Sequence, residues 1–152
     1  LRSGASDNVV KGNLIGLNAA ITAALPNAGD GVQCNDAATG NTIGGPGADR
    51  NVISGNSGHG VLLLDATTTG NFVLGNFIGT NATASAAFPN ALGGVAVQGG
   101  SSGNVIGAFV TGRTISSDPG VILYNYVHGL DATLALRTPA AAPCEHQAAD
   151  DH

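Results

Sequence analysis

The sequence predicts an all-β chain wound as a parallel β-helix, a solenoid of about four to five coils, and three observations predict it. The first is an internal repeat. Asn8-Val-Val-Lys-Gly-Asn13 followed by Leu14-Ile-Gly-Leu-Asn18 returns 63 residues later as Asn71-Phe-Val-Leu-Gly-Asn76 followed by Phe77-Ile-Gly-Thr-Asn81. The same shift carries Pro26-Asn27 onto Pro89-Asn90, Gly31-Val32 onto Gly94-Val95 and Asn41-Thr-Ile-Gly44 onto Asn104-Val-Ile-Gly107. The second is strand chemistry: Gly60 to Asn81 reads as three short apolar runs broken by Gly, Asn, Thr and Asp. The third is that no helical stretch lies between the units. A parallel sheet covered by crossover helices therefore does not fit, whereas a coil whose strands pair with their equivalents about 4.8 Å above and below does.

Each repeat holds two smaller units. Gly-Val pairs open a strand at Gly31, Gly60, Gly94 and Gly120, spaced 29, 34 and 26 residues apart. Asn-led apolar strands follow the first three, at Asn41, Asn71 and Asn104, and a third short strand closes the first two units, at Asn51-Val-Ile and Phe77-Ile. Period-two alternation points Val32, Val61, Val95 and Val121 inward, with Cys34, Leu63, Val97 and Leu123 stacked beside them. Asn13, Asn56 and Asn76 fall at bends after a Gly, where Asn tolerates left-handed backbone and stacked carboxamides can hydrogen-bond from coil to coil. Ala19 to Asp30 and its copy Ala82 to Gly93 are the longest interruptions, each with a hydrophobic-Pro-Asn turn, and are read as surface loops packed by their own Leu25 or Phe88. The body spans 1–136, clearest over 8–108. The segment 137–152 has no strand period and reads as a disordered tail.

Composition narrows the function classes. Charged residues are 10% of the chain, against about 25% in an ordinary globular domain, while Gly and Ala number 24 each. Small residues buried in thin, regular layers suit such a chain. A net charge of −5, with basic residues only at Arg2, Lys11, Arg50, Arg113 and Arg137, argues against nucleic acid and anionic membrane surfaces. No apolar run approaches a membrane span. The opening at Leu1, without Met or a secretory pattern, reads as a fragment or mature piece. Cys34 falls at an inward position and reads as a buried thiol. Cys144, His146, Asp150 and His152 in the tail match no defined metal spacing.

The runs NTIGG, RNVISGN, SGHGV and GNFIGT, with the Gly-Val starts, resemble right-handed parallel β-helix repeats of the pectate-lyase-like superfamily, in particular the Asn- and Gly-rich repeats of large bacterial secreted and cell-surface proteins. The resemblance covers roughly Asn8 to Ala108 and implies right-handed winding, which agrees with the handedness of parallel crossovers. It implies an extracellular or cell-surface setting, and it implies architecture more than activity.

The Gly-Val register makes Asp36 and Asp65 coil neighbours, and likewise Asp30 and His59. These four are the candidate catalytic residues, flanking the face where the resembling lyases and hydrolases keep their sites. Stacked Asp36 and Asp65 are also the candidate Ca²⁺ ligands, or an acid and base pair on a glycosidic bond. Against both stands the ordinary role of Asp before Ala-Thr as a turn former. Gly58-His59-Gly60 matches a Gly-His-Gly motif of polygalacturonase-like hydrolases, but the Asn-x-Asp, Asp-Asp and Arg-x-Lys parts of that signature are absent. The outward face of Gln33, Asn35, Leu62, Leu64, Ala96 and Gln98 carries no aromatic or basic residue to hold a sugar, and Leu62 and Leu64 are expected to expose an apolar patch. Two classes follow. The first is a non-catalytic repeat segment for adhesion or scaffolding, touching polysaccharide or associating through its coil ends. The second is a fragment of a polysaccharide lyase or glycoside hydrolase.

Overall fold

A computed structural model of the chain describes residues 1–107 and the strand Ile122–Leu123. The described residues form a parallel β-solenoid of about three turns, with no α-helix. Coil one supplies β1 (Val9–Val10), β2 (Leu14–Ile15) and β3 (Val32–Cys34). Coil two supplies β4 (Thr42–Gly44), β5 (Val52–Ile53) and β6 (His59–Leu64). Coil three supplies β7 (Phe72–Leu74), β8 (Phe77–Ile78) and β9 (Gly93–Gln98). A further strand, β10 (Val105–Gly107), opens the next coil, and β11 (Ile122–Leu123) pairs with it.

Like strands stack into three parallel sheets, ordered β1-β4-β7-β10-β11, β2-β5-β8 and β3-β6-β9. The register is the one expected: Val32 opposes Val61, which opposes Val95, and Cys34, Leu63 and Val97 form the adjacent row. Inward side chains of all three sheets meet in one core in which Cys34, Ile43, Ile53, Val61, Leu63, Val73 and Ile78 are fully buried. A thin triangular coil can fill such a core with one or two apolar side chains per strand, a buried Val, Ile or Leu being worth about 1.5–3 kcal/mol. Cys34 is a free, buried thiol whose pKa burial pushes up.

Two expectations are corrected. The described coils number about three, not four to five. The strand at Gly120-Val121 was assigned to the Gly-Val sheet beside Val95, but Ile122 pairs with Ile106 and Leu123 with Gly107, which adds β11 to the Asn-led sheet instead. A short apolar run offers the same hydrogen-bonding edge to any sheet, so its sequence does not select one. The rest of 108–152, including Cys144, His146, Asp150, His152 and the expected tail, lies outside the described residues.

Asparagine ladders join the corners. Asn8, Asn41, Asn71 and Asn104 form one. Asn13, Asn51 and Asn76 form a second, and Asn27, Asn56 and Asn90 a third. In the first, Asn41 Nδ2 donates to Asn71 Oδ1 at 2.9 Å and its backbone N–H to the same oxygen at 3.0 Å. Nδ2 also donates to Ala5 O at 2.9 Å, so both protons of the buried amide are satisfied. Asn13 and Asn76 were expected to stack, and they do so through Asn51, whereas Asn56 belongs to a different ladder.

The two long loops double back: Leu17 pairs antiparallel with Ala24, and Thr80 with Ala87. Both cover the corner of coil two, which has no such loop. Gly55 donates its N–H to Phe88 O at 2.9 Å, and a Cβ on Gly55 would sit 3.0 Å from Ala24 Cβ. Phe88 is half-buried as expected for a self-packed loop, but Leu25 is 68% exposed.

Candidate functional site

Both sequence-predicted pairs are brought together, at opposite ends of β6. Asp30, at the turn before β3, accepts at Oδ1 from His59 N–H at 2.7 Å and faces His59 Nδ1 at 3.0 Å. Both side chains are largely buried, 16% and 10% exposed. This contact fixes the imidazole ring by one nitrogen, the arrangement in which a carboxylate orients a histidine for proton transfer. The two glycines of Gly58-His59-Gly60 have packing reasons of their own. A Cβ on Gly58 would lie 2.5 Å from Asp30 Oδ1, and one on Gly60 would lie 2.6 Å from Gly94 O. Close coil stacking, against Asp30 at Gly58 and against Gly94 at Gly60, therefore accounts for both glycines of the motif.

Asp36 and Asp65 follow β3 and β6 and sit in left-handed backbone, φ 53° and 76°. They touch through the backbone of one and the carboxylate of the other: Asp36 N–H donates to Asp65 Oδ2 at 2.6 Å. Asp65 Oδ1 accepts from Thr67 N–H at 3.1 Å, Thr67 Oγ1 at 2.7 Å and Thr68 Oγ1 at 3.1 Å. A carboxylate offers about four lone-pair sites; here Oδ1 takes the three Thr donors and Oδ2 the Asp36 N–H. Asp65 is thus a turn former, and no group of three or more His, Cys, Asp or Glu side chains gathers among the described residues. From His59 to Asp65 the strand runs about 20 Å at about 3.3 Å per residue, so the two pairs do not share one reaction centre.

The donors on Asp65 hold its pKa at about 2, below the ordinary 3.8; the Thr67 hydroxyl contributes most and the Asp36 N–H next, with burial opposing. A carboxylate lowered in the folded state stabilises above its unfolded pKa, and that stabilisation disappears as pH falls through the folded value. The melting temperature is therefore expected to drop between about pH 4 and pH 2, and Asp65→Asn should flatten that drop. An unchanged acid limb in Asp65→Asn, followed by circular dichroism, would contradict the assignment.

The face between the pairs differs from expectation. Gln33 is exposed, but Leu62, its outward neighbour on the next coil, is only 7% exposed and Ala96 only 1%, while Leu64 is half-buried. No open apolar patch lies there. Arg50, not among the sequence candidates, stacks its guanidinium over the Phe77 ring at 4.4 Å beside an open groove. The signal for it was the Gly-rich run Gly44-Gly-Pro-Gly-Ala-Asp-Arg50, which lengthens the turn between β4 and β5 relative to those between β1 and β2 and between β7 and β8. None of the described residues forms a helix long and apolar enough to cross a membrane. Compared with known proteins, the chain matches no family model, no curated protein and no solved structure.

Proposed function

We propose that the chain is a non-catalytic repeat segment of an extracellular or cell-surface protein, a β-helix of the pectate-lyase-like kind that serves as a scaffold or adhesive stalk. The observation that carries this reading is the destination of its buried amides. Asn41, Asn51, Asn56, Asn71, Asn76 and Asn90 are all buried; the first four bond the coils on both sides and Asn76 and Asn90 the coil before them, rather than converging on a shared point. Polar groups placed this way give stiffness and coil-by-coil extension. The first coil leaves one edge each of β1 and β2 unpaired among the described residues, with Val9 59% and Leu14 40% exposed, which suits association through coil ends, while Leu1 covers the edge of β3 by donating to Gln33 O and accepting from Asn35 N–H. Contact with polysaccharide belongs to the same reading.

The Asp30–His59 contact favours a second reading, a fragment of a polysaccharide lyase or glycoside hydrolase. One assay separates the two. The protein is incubated with pectin, polygalacturonate, xylan and alginate, and new reducing ends and unsaturated products are followed. The scaffold reading expects no turnover above that of His59→Ala. Turnover abolished by both His59→Ala and Asp30→Asn would transfer the chain to the enzymes.

A further inference from the structure

We propose that the groove beside Arg50 is a binding site for a small carboxylate carried on an apolar body, such as an aromatic or branched aliphatic acid. The groove is open, offers about 380 Å³ and is lined by Gly47, Ala48, Arg50, Val52, Phe77 and Ala82. Ligand sites generally start at about 300 Å³. Its walls come from two coils: the long β4–β5 turn with its 3₁₀ segment Gly47–Asp49, the outward residues of β5 and β8, and the loop after β8. It lies on the β2-β5-β8 sheet, away from Asp30, His59, Asp36 and Asp65.

Three features make Arg50 the anchor. Its guanidinium is permanently charged and planar, and the Phe77 ring at 4.4 Å backs that plane, so less rotamer freedom is lost on binding. Among the described residues none accepts a hydrogen bond from it, and its Nε is already buried without a partner. The neighbouring Asp49 does not compete, because its carboxylate pairs with Lys11 Nζ at 3.2 Å. A guanidinium fixed in this way and lacking an internal acid matches the two oxygens of a carboxylate. The remaining side chains of the groove, those of Ala48, Val52, Phe77 and Ala82, are apolar. A polyhydroxylated ring would leave hydroxyls unpaired against them, whereas an apolar body would not.

The inference does not depend on the scaffold reading, and its failure would leave that reading in place. The test is an NMR titration of the whole chain with benzoate, with benzamide as its neutral counterpart and glucuronate as a carboxylate on a sugar. Benzoate is expected to produce saturable shifts confined to Arg50, Phe77 and Ala82. Benzamide and glucuronate should each bind at least about tenfold more weakly. Arg50→Gln should weaken benzoate by about ten- to a hundredfold, the range of a charge-assisted hydrogen bond, and Arg50→Lys by less. If Arg50→Gln fails to fold, Phe77→Leu keeps an apolar wall, removes the stack and should weaken benzoate several-fold. Equal binding of benzoate and benzamide, tighter binding of glucuronate, undiminished binding in the folded variants, or no shift at Arg50 would each overturn the proposal.

Discussion

Asn71→Ala is expected to destabilise the solenoid by on the order of 4 kcal/mol. Asn71 is fully buried at the middle of its ladder. Its Oδ1 accepts from Asn41 N–H at 3.0 Å and Asn41 Nδ2 at 2.9 Å, and its Nδ2 donates to Ala38 O at 2.9 Å and Asn104 Oδ1 at 3.1 Å. Truncation strands the two donors of Asn41 and the carbonyl of Ala38 where water does not reach, at about 1–3 kcal/mol for each buried group left unpaired. Asn8→Ala removes the exposed end of the same ladder, leaves Asn41 Oδ1 still bonded to the backbone N–H of residue 8, and should cost about 1 kcal/mol or less. Urea unfolding of both variants gives the comparison. Equal losses would show that the ladder is decoration on a fold held by its apolar core alone.

Gly44→Ala is expected to cost about 3 kcal/mol or more, a value reached only by a few mechanisms of which backbone strain and overpacking are two. Gly44 ends β4 at φ 96°, and a Cβ there would fall 2.1 Å from Leu74 O and 2.3 Å from Asn76 Oδ1. Neither neighbour can retreat: one is strand backbone held by its ladder, the other a buried amide in the second asparagine row. Gly70→Ala isolates the conformational part. Gly70 has φ 67°, but the nearest atom to its Cβ is 4.0 Å away, so only the left-handed penalty of about 1–2 kcal/mol should appear. Thermal melts that place the two variants together would mean that the close approach at Gly44 relaxes freely.

The winding of this chain was legible because a solenoid writes its geometry into its spacing. Gly31, Gly60 and Gly94 set the row of Val32, Val61 and Val95, and a one-residue slip would turn every one of them outward. The same register placed Asp30 on His59 and Asp36 on Asp65. Asn51 was harder to join to Asn13 and Asn76, because it lies 38 residues from one and 25 from the other, and the long Gly-rich turn hides their equivalence. Asn27 and Asn90 looked like turn residues after Pro, yet each bonds Asn56 across a coil boundary. Arg50 over Phe77 escaped altogether. The turn that carries Arg50 has no counterpart of equal length in coils one and three, so no repeat register predicts what it touches.

The asparagine rows have a direction. Each carboxamide from Asn8 to Asn71 gives one NH₂ proton to the carbonyl of the next Asn in its row, and the other two rows run in the same sense, so every accepting carbonyl faces the preceding coil. Side-chain amide dipoles aligned head to tail add, as peptide dipoles do along a helix. The first coil therefore turns three carbonyl oxygens, on Asn8, Asn13 and Asn27, away from coil two. Two copies meeting first coil to first coil would set acceptor against acceptor. Only stacking in the same sense keeps the direction of the rows. Such stacking is heterologous and lacks a two-fold axis, a geometry that lengthens into a filament instead of closing into a dimer.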